Sequence, residues 1–174
     1  MQRRTLLAGL ASLAWLGACE SNGGAGSGTV RSTSGAGIKD IPGRLTEMRR
    51  FTELLKAART AGLWDTLAGP GPLTLFAPTD SAFDALNDVD LQRLTRDKAK
   101  LRQVLEYHLV AGRVTDRDFL QFKTLRTRQG AMLKVTKMGQ VIKINEANID
   151  QANIGADNGI IHAINQVLMP PGLG

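Results

Sequence analysis

The chain is poor in the residues that usually carry chemistry. Its one cysteine, Cys19, cannot form a disulfide within the chain. Its two histidines, His108 and His162, lie far apart, and neither sits in the close-spaced ligand patterns that metal sites often show. With Asp80 they could make a three-ligand set only if the fold gathered them. No metal and no cofactor is therefore expected. A nucleophile elbow, a Walker loop and a dinucleotide fingerprint are all missing. Aromatic residues are 5% of the chain, with Tyr107 the single tyrosine, so a binding surface has few stacking platforms. The apolar run Leu6 to Leu16 is too short for a comfortable membrane span.

What is there begins with an address. Arg3 and Arg4 precede the apolar run, and Leu16-Gly17-Ala18-Cys19 follows it. That order resembles a bacterial lipobox, in which residues 1–18 are a signal peptide and Cys19 becomes the lipid-bearing first residue. The alternative is an ordinary signal peptide with an incidental cysteine. Gln2 to Leu7 also resembles a twin-arginine export signal, so the export route stays open. Acylation would anchor the protein: each buried methylene contributes roughly 0.8 kcal/mol, and more than one chain holds stably. Glu20 is not the aspartate that resembles an inner-membrane retention signal, which favours the outer membrane. Residues 19–40 read as the lipidated cysteine and a flexible tether, Gly/Ser-rich from Glu20 to about Gly37 and spanning roughly 25 Å. Its glycines make no phosphate loop, because no strand precedes them.

The 174 residues suffice for one domain, and 43% hydrophobic with 22% charged residues is a globular balance. Net charge is +6, falling to +4 once Arg3 and Arg4 are removed. That weak basic bias suits anionic polysaccharide or lipid headgroups and gives no reason to invoke nucleic acid.

The domain, 41–172, is organised around Leu73 to Phe83. Leu73 to Ala77 is a nearly unbroken apolar run, as in a strand covered on both faces. Pro78 closes it, and Thr79, Asp80 and Ser81 are all helix N-cap residues. Ser81 and Asp84 have capping-box spacing. Asp80 and Asp84 could instead be an acid–base pair, but nothing nearby in the sequence supports that.

On the N-terminal side, Met48, Phe51, Leu54, Leu55 and Ala58 predict one helix over 46–61, stopped by Gly62. Leu63, Trp64 and Leu67 predict a short second helix. Beyond the central stretch, Val89, Leu91 and Leu94 form a short amphipathic piece, and Asp97 caps a helix through about His108. That places His108 on the core face, where a histidine is more often a hydrogen-bonded core residue than a ligand. Leu109 to Val114 reads as a strand, and Thr115 with Asp118 as a second capping box. Further strands are expected at about 122–127, 131–137, 140–145, 147–150 and 160–168, with turns at Gly130 and Gly139. Asn158-Gly159 is a hairpin signal. The last strand is apolar on both faces and carries His162, so it should be central in a sheet. Arg117, Lys123, Arg126, Arg128, Lys134, Lys137 and Lys143 concentrate basic charge in this half, either as an anion-attracting patch or as edge-protecting lysines.

Three motifs in order resemble the fasciclin (FAS1) domain: Thr74 to Phe83; Tyr107-His108 with the run to Val114; and Asn158 to Leu168 followed by Pro170. The resemblance marks Thr74, Phe76, Ala77, Pro78, Thr79, Asp80, Phe83, Asn158, Gly159 and His162 as motif residues. It implies an α+β fold, a wedge-shaped two-sheet β-sandwich with helices packed around it. It also implies adhesion or protein interaction without catalysis, with Tyr107 and His108 in or near interaction segments. In some animal matrix members an Asp-Ile pair implicated in integrin binding precedes the Asn-Gly turn. Here those positions are Asn153 and Ile154, and the acid is missing, so integrin recognition is not carried over.

The leading reading is thus a lipid-anchored, exported adhesion or interaction module of the cell envelope. Its partner would be a protein or polysaccharide, and its candidate binding residues are Tyr107, His108, Asn153 and Ile154. The alternatives are an envelope small-molecule binder or unrecognised enzyme, and a structural envelope component.

Overall fold

The computed structural model describes residues 39–173. Cys19, the expected signal peptide and the expected tether up to residue 38 lie outside the described residues.

The helix expected over 46–61 is two helices. The first, α1 (Ile41–Met48), starts earlier than expected because Asp40 caps it, accepting from the Gly43 amide at 2.9 Å, with Pro42 in its first turn. Arg49 then turns left-handed at φ 52° and ends it. The second, α2 (Thr52–Thr60), follows fully buried Phe51. Phe51 keeps the apolar spacing intact across the break, so periodicity alone joins the two helices. Gly62 stops α2 as expected: its φ is 68°, and the amides of Gly62 and Leu63 close back on Arg59 and Ala58. A third short helix, α3 (Trp64–Ala68), follows.

β1 (Leu73–Pro78) is buried at all six positions. The capping box expected at Ser81 and Asp84 does not form. Thr79 is the N-cap of the five-residue α4 (Asp80–Asp84) and makes no side-chain cap bond. Asn87 caps α5 (Asp88–Arg96), and Asp97 caps α6 (Lys98–Tyr107) through the Ala99 and Lys100 amides. After β2 (Leu109–Ala111) comes one 3-10 turn, Asp118–Leu120. Before that turn Thr115 gives its amide and hydroxyl to the Asp118 carboxylate, at 2.7 and 2.8 Å.

The remaining strands are β3 (Thr124–Arg126), β4 (Met132–Met138), β5 (Val141–Ile144), β6 (Ala147–Ala156) and β7 (Gly159–Ile164). β6 runs well past residue 150, where Asp150, Gln151 and Asn153 hide its period. Its pairing with β7 slips at Ile149/Gln151 and again at Gln151/Ile154, and Asn153 sits at φ 58°. Such bulges bend a strand without ending it. β7 ends at Ile164. At Asn165 the backbone amide still donates to the Asn148 carbonyl (3.1 Å), but the Asn148 amide is taken by the Asn165 side chain (2.9 Å).

The strand order is β2-β1-β7-β6-β5-β4-β3, with β1 and β7 parallel and the other pairs antiparallel. A bridge between Val110 and Thr127 brings the two ends of this order together. The hydrogen bonds thus draw one mixed, nearly closed seven-stranded series rather than two separately paired sheets. β7 is central, as its two apolar faces require.

Side chains alternate across the β1–β7 wall. Leu73, Leu75, Ala77, Ile161 and Ala163 face a core completed by helical residues such as Leu45, Leu54, Phe83 and Leu105. Phe76 and Ile164 face a second core with Phe119, Leu133, Val135 and Ile144.

Candidate functional site

The motif residues lie along this wall, and their polar groups turn inward. Thr74 is fully buried; its hydroxyl donates to the Gly112 carbonyl (2.7 Å) and accepts from the Val114 amide (2.9 Å). It therefore ties β1 to the segment after β2. At the other end of β1, Pro78 is paired with Ile164, and the Thr79 amide reaches the Ile164 carbonyl. Asp80 caps a helix other than its own: its carboxylate accepts from the Glu53 amide in the first turn of α2 (2.9 Å), while its own amide donates to the Arg50 carbonyl. Phe51, at the N-cap position of α2, supplies no side-chain cap, so Asp80 fills that role across space.

Asn158 works in the same way. Its Oδ1 accepts from the Ile41 amide (2.9 Å), and its Nδ2 donates to the carbonyls of Leu67 (2.7 Å) and Gly69 (2.8 Å). One side chain thus joins the start of α1, the end of α3 and the β6–β7 turn. Gly159 follows as the first residue of β7, where a Cβ would lie 2.1 Å from the Leu73 carbonyl oxygen.

Tyr107 and His108 close α6 from inside. Tyr107 is 2% exposed, and its hydroxyl accepts from Asn145 Nδ2 (2.9 Å) and donates to the Met132 carbonyl (3.3 Å). His108 is 0% exposed. Its Nδ1 donates to the Val104 carbonyl (2.7 Å), and its Nε2 accepts from the Leu168 amide (3.0 Å). That pair of partners demands the neutral ring. Burial holds its pKa down to about 4, opposed by the Val104 bond.

His162 lies on the opposite side of the wall. Its ring stacks on Phe76, with centroids 5.5 Å apart, and Phe119 packs at 5.1 Å. Nε2 donates to the Val114 carbonyl (2.8 Å), and Nδ1 faces the Asn153 amide at 3.4 Å. Burial lowers its pKa too, against the Val114 bond and the Asp116 charge. With their nitrogens committed to backbone, neither histidine offers a metal a lone pair. Among the described residues no group of three His, Cys, Asp or Glu side chains could hold a metal ion.

Asn153 and Ile154 part company. Ile154 is buried in the helix-side core. Asn153 is exposed on the β6 bulge, and its Oδ1 accepts from the Asp116 amide (3.0 Å). The Asp116 carboxyl is held below its usual value, first by its hydrogen bond with the Asn153 side chain. Sequence reading missed two staples in this network, Asn145 and Asn165. Left-handed Asn145, at φ 55°, pairs both ways with the Lys134 backbone. A lone asparagine between strands is the signal for such a residue.

A compact α+β wall with these inward staples defines a scaffold domain, and the comparisons place it. The fasciclin domain model matches residues 49–170, and the chain belongs to that family. The uncharacterized protein sll1735 of Synechocystis is 36% identical over 120 residues, covering 69% of this chain and 90% of that protein. The pig transforming growth factor-beta-induced protein ig-h3 is 34% identical over 122 residues, covering 70% of this chain but 18% of that one. The solved FAS1 domain pair of the insect cell adhesion molecule Fasciclin I superposes with a TM-score of 0.66 at 20% identity, which speaks to the fold. That match covers 78% of this chain and about half (52%) of the other. Among the described residues no helix is long and apolar enough to cross a membrane.

Proposed function

We propose that this protein is a non-catalytic adhesion or interaction module, exported and held at the cell envelope by lipid on Cys19, with a protein or polysaccharide partner. The observation that carries this reading is the inward commitment of the motif. Thr74, Asp80, His108, Asn158 and His162 spend their polar atoms on the protein's own backbone. Recognition then falls to the outer surface. Family membership supports the same reading, and Fasciclin I, whose domain pair shares the fold, is itself a cell adhesion molecule.

Of the four candidate binding residues, Asn153 is the one whose side chain is exposed, which supports a partner contact there, beside Asp116. Asn153→Gly keeps the positive φ while removing the side chain. Immobilised protein should retain a saturable partner from envelope extract or matrix polysaccharide, and Asn153→Gly should release it without unfolding the domain. Unchanged retention would move the contact elsewhere. The mass of the mature N-terminal peptide tests the anchor, which must disappear in Cys19→Ser.

A second reading has one observation behind it. A recess of about 250 Å³ between α2, α5 and α6 is lined by Phe83, Leu91, Leu101, Val104 and Leu105, together with His108. It would suit a small apolar ligand, although it falls below the usual size of ligand sites. Saturable binding of an apolar fluorescent probe, abolished by Val104→Phe, would raise this reading above the first.

A further inference from the structure

The outer face of β3–β4–β5 combines two properties that water alone does not favour. β4 sends Leu133 and Val135 inward and turns Met132, Lys134 and Met138 outward. Pairing puts Arg126 beside Met132, Lys143 beside Thr136 and Val141 beside Met138. Leu120 and Phe122 adjoin this face, sharing a shallow recess with Lys123, Met132 and Lys134. Six large apolar side chains are exposed among the described residues, and five of them lie here: Leu120, Phe122, Met132, Met138 and Val141. Between residues 119 and 149 the sequence has six cations and one acid, Glu146. None of those six cations forms an ion pair among the described residues, although Lys137 lies near enough to the Asp116 carboxylate to help hold its pKa down.

We propose that this face docks on an anionic phospholipid surface, with the methionines, Leu120 and Phe122 entering the headgroup layer while the lysines and arginines meet phosphates. A bilayer interface supplies an apolar layer beneath negative charge, and both halves of the face are then used. An acidic polysaccharide would engage the cations and leave the apolar side chains in water. A second copy of the chain would set this cationic face against itself. The inference rests on the envelope location proposed above for a bilayer to be in reach, but the contact itself needs no acyl chain.

The test therefore uses the chain from residue 19 with Cys19→Ser. This form keeps residues 39–173 whole, with the two cores and the hydrogen bonds described among them. Its sedimentation is measured with vesicles of phosphatidylcholine alone and of phosphatidylcholine mixed with phosphatidylglycerol. Binding should be confined to the mixed vesicles and should fall with salt. Each lysine is worth about fivefold near an anionic surface, so Lys134→Glu with Lys143→Glu should weaken binding by at least about 20-fold. Leu120→Ser with Met138→Ser should also weaken it, with charge and melting temperature unchanged. The inference is overturned by equal binding to both vesicle types, by no binding, or by indifference to either double substitution. It is overturned equally if a soluble acidic polysaccharide binds and vesicles do not, or if the same substitutions abolish a dimer in gel filtration. Vesicle binding without lipid on Cys19 in cells would leave this inference standing and remove the anchor. An acylated Cys19 with no vesicle binding would do the reverse.

Discussion

Gly159 owes its place to a carbonyl rather than to a turn. Asn-Gly marks a hairpin in sequence, yet Gly159 is a strand residue whose missing Cβ leaves room for the Leu73 carbonyl oxygen, 2.1 Å from where that atom would sit. At Gly71 an added Cβ would likewise fall 1.9 Å from the Asn158 carbonyl oxygen. Both obstacles are backbone, so neither can swing aside. Gly159→Ala should therefore cost more than ordinary overpacking, at least about 3 kcal/mol, read as a lower urea midpoint or loss of the folded state. A stable, cooperatively folding Gly159→Ala protein would show that the two strands can separate. The motif residue itself was legible in the sequence, but its reason was not, because the atom it avoids belongs to a distant strand. The site divided along the same line. The core-face position of His108 and the apolar neighbours of His162 follow from spacing. The burial of Ile154 and the bond between Asn153 and Asp116 depend on the β6 bulge, which leaves no periodic trace.

At the scale of elements, caps were the most readable signals and also the easiest to assign to the wrong helix. Asp97 and Gly62 act on the helices next to them in sequence, as spacing predicts. Asp80 acts on α2, through an amide 27 positions before it. It also explains how α2 can start after Phe51, an N-cap residue with no capping group. Asp80→Ala should cost about 0.5–2 kcal/mol, the usual range for a lost N-cap, and should do so by loosening α2 rather than α4. Amide hydrogen exchange distinguishes the two. Faster exchange confined to the first turn of α2 is the expected result, whereas faster exchange confined to α4 would return Asp80 to the local role. Helix boundaries failed in the sequence reading where one apolar residue served two helices, as Phe51 does. Strand length failed where polar bulge residues concealed a continuing ladder, as in β6.

At the scale of the molecule, the β1–β7 wall separates two cores, and each side holds one neutral histidine bonded to backbone far away in sequence. Folding thus requires both rings to stay unprotonated. In the unfolded chain a histidine takes up its proton near pH 6.5, whereas His108 does so in the fold only at about 4, and His162 is shifted the same way. Between those values the unfolded state holds more protons than the native state, so stability rises with pH and is lost as pH falls. It is undiminished above the unfolded value and falls by about 1.4 kcal/mol per pH unit for each histidine between its two pKa values. For His108 the full descent amounts to about 3 kcal/mol, a large part of the stability of an ordinary domain. Glu47, Asp116 and Asp118 push in the same direction, but only nearer their own lower values; Glu47 is exposed, and Asp116 and Asp118 are half-buried. Urea unfolding at several pH values between 7 and 4.5 should therefore show a falling midpoint with a constant slope. His108→Gln, which cannot titrate, should be less stable at pH 7 yet lose about one proton's worth of that pH dependence. If His108→Gln and the matching His162→Gln both kept the wild-type pH dependence, the acid sensitivity would belong to groups other than the two rings, and the histidines would be mere packing. If each removed its share, the two rings would be established as the acid-sensitive fastenings of the wall.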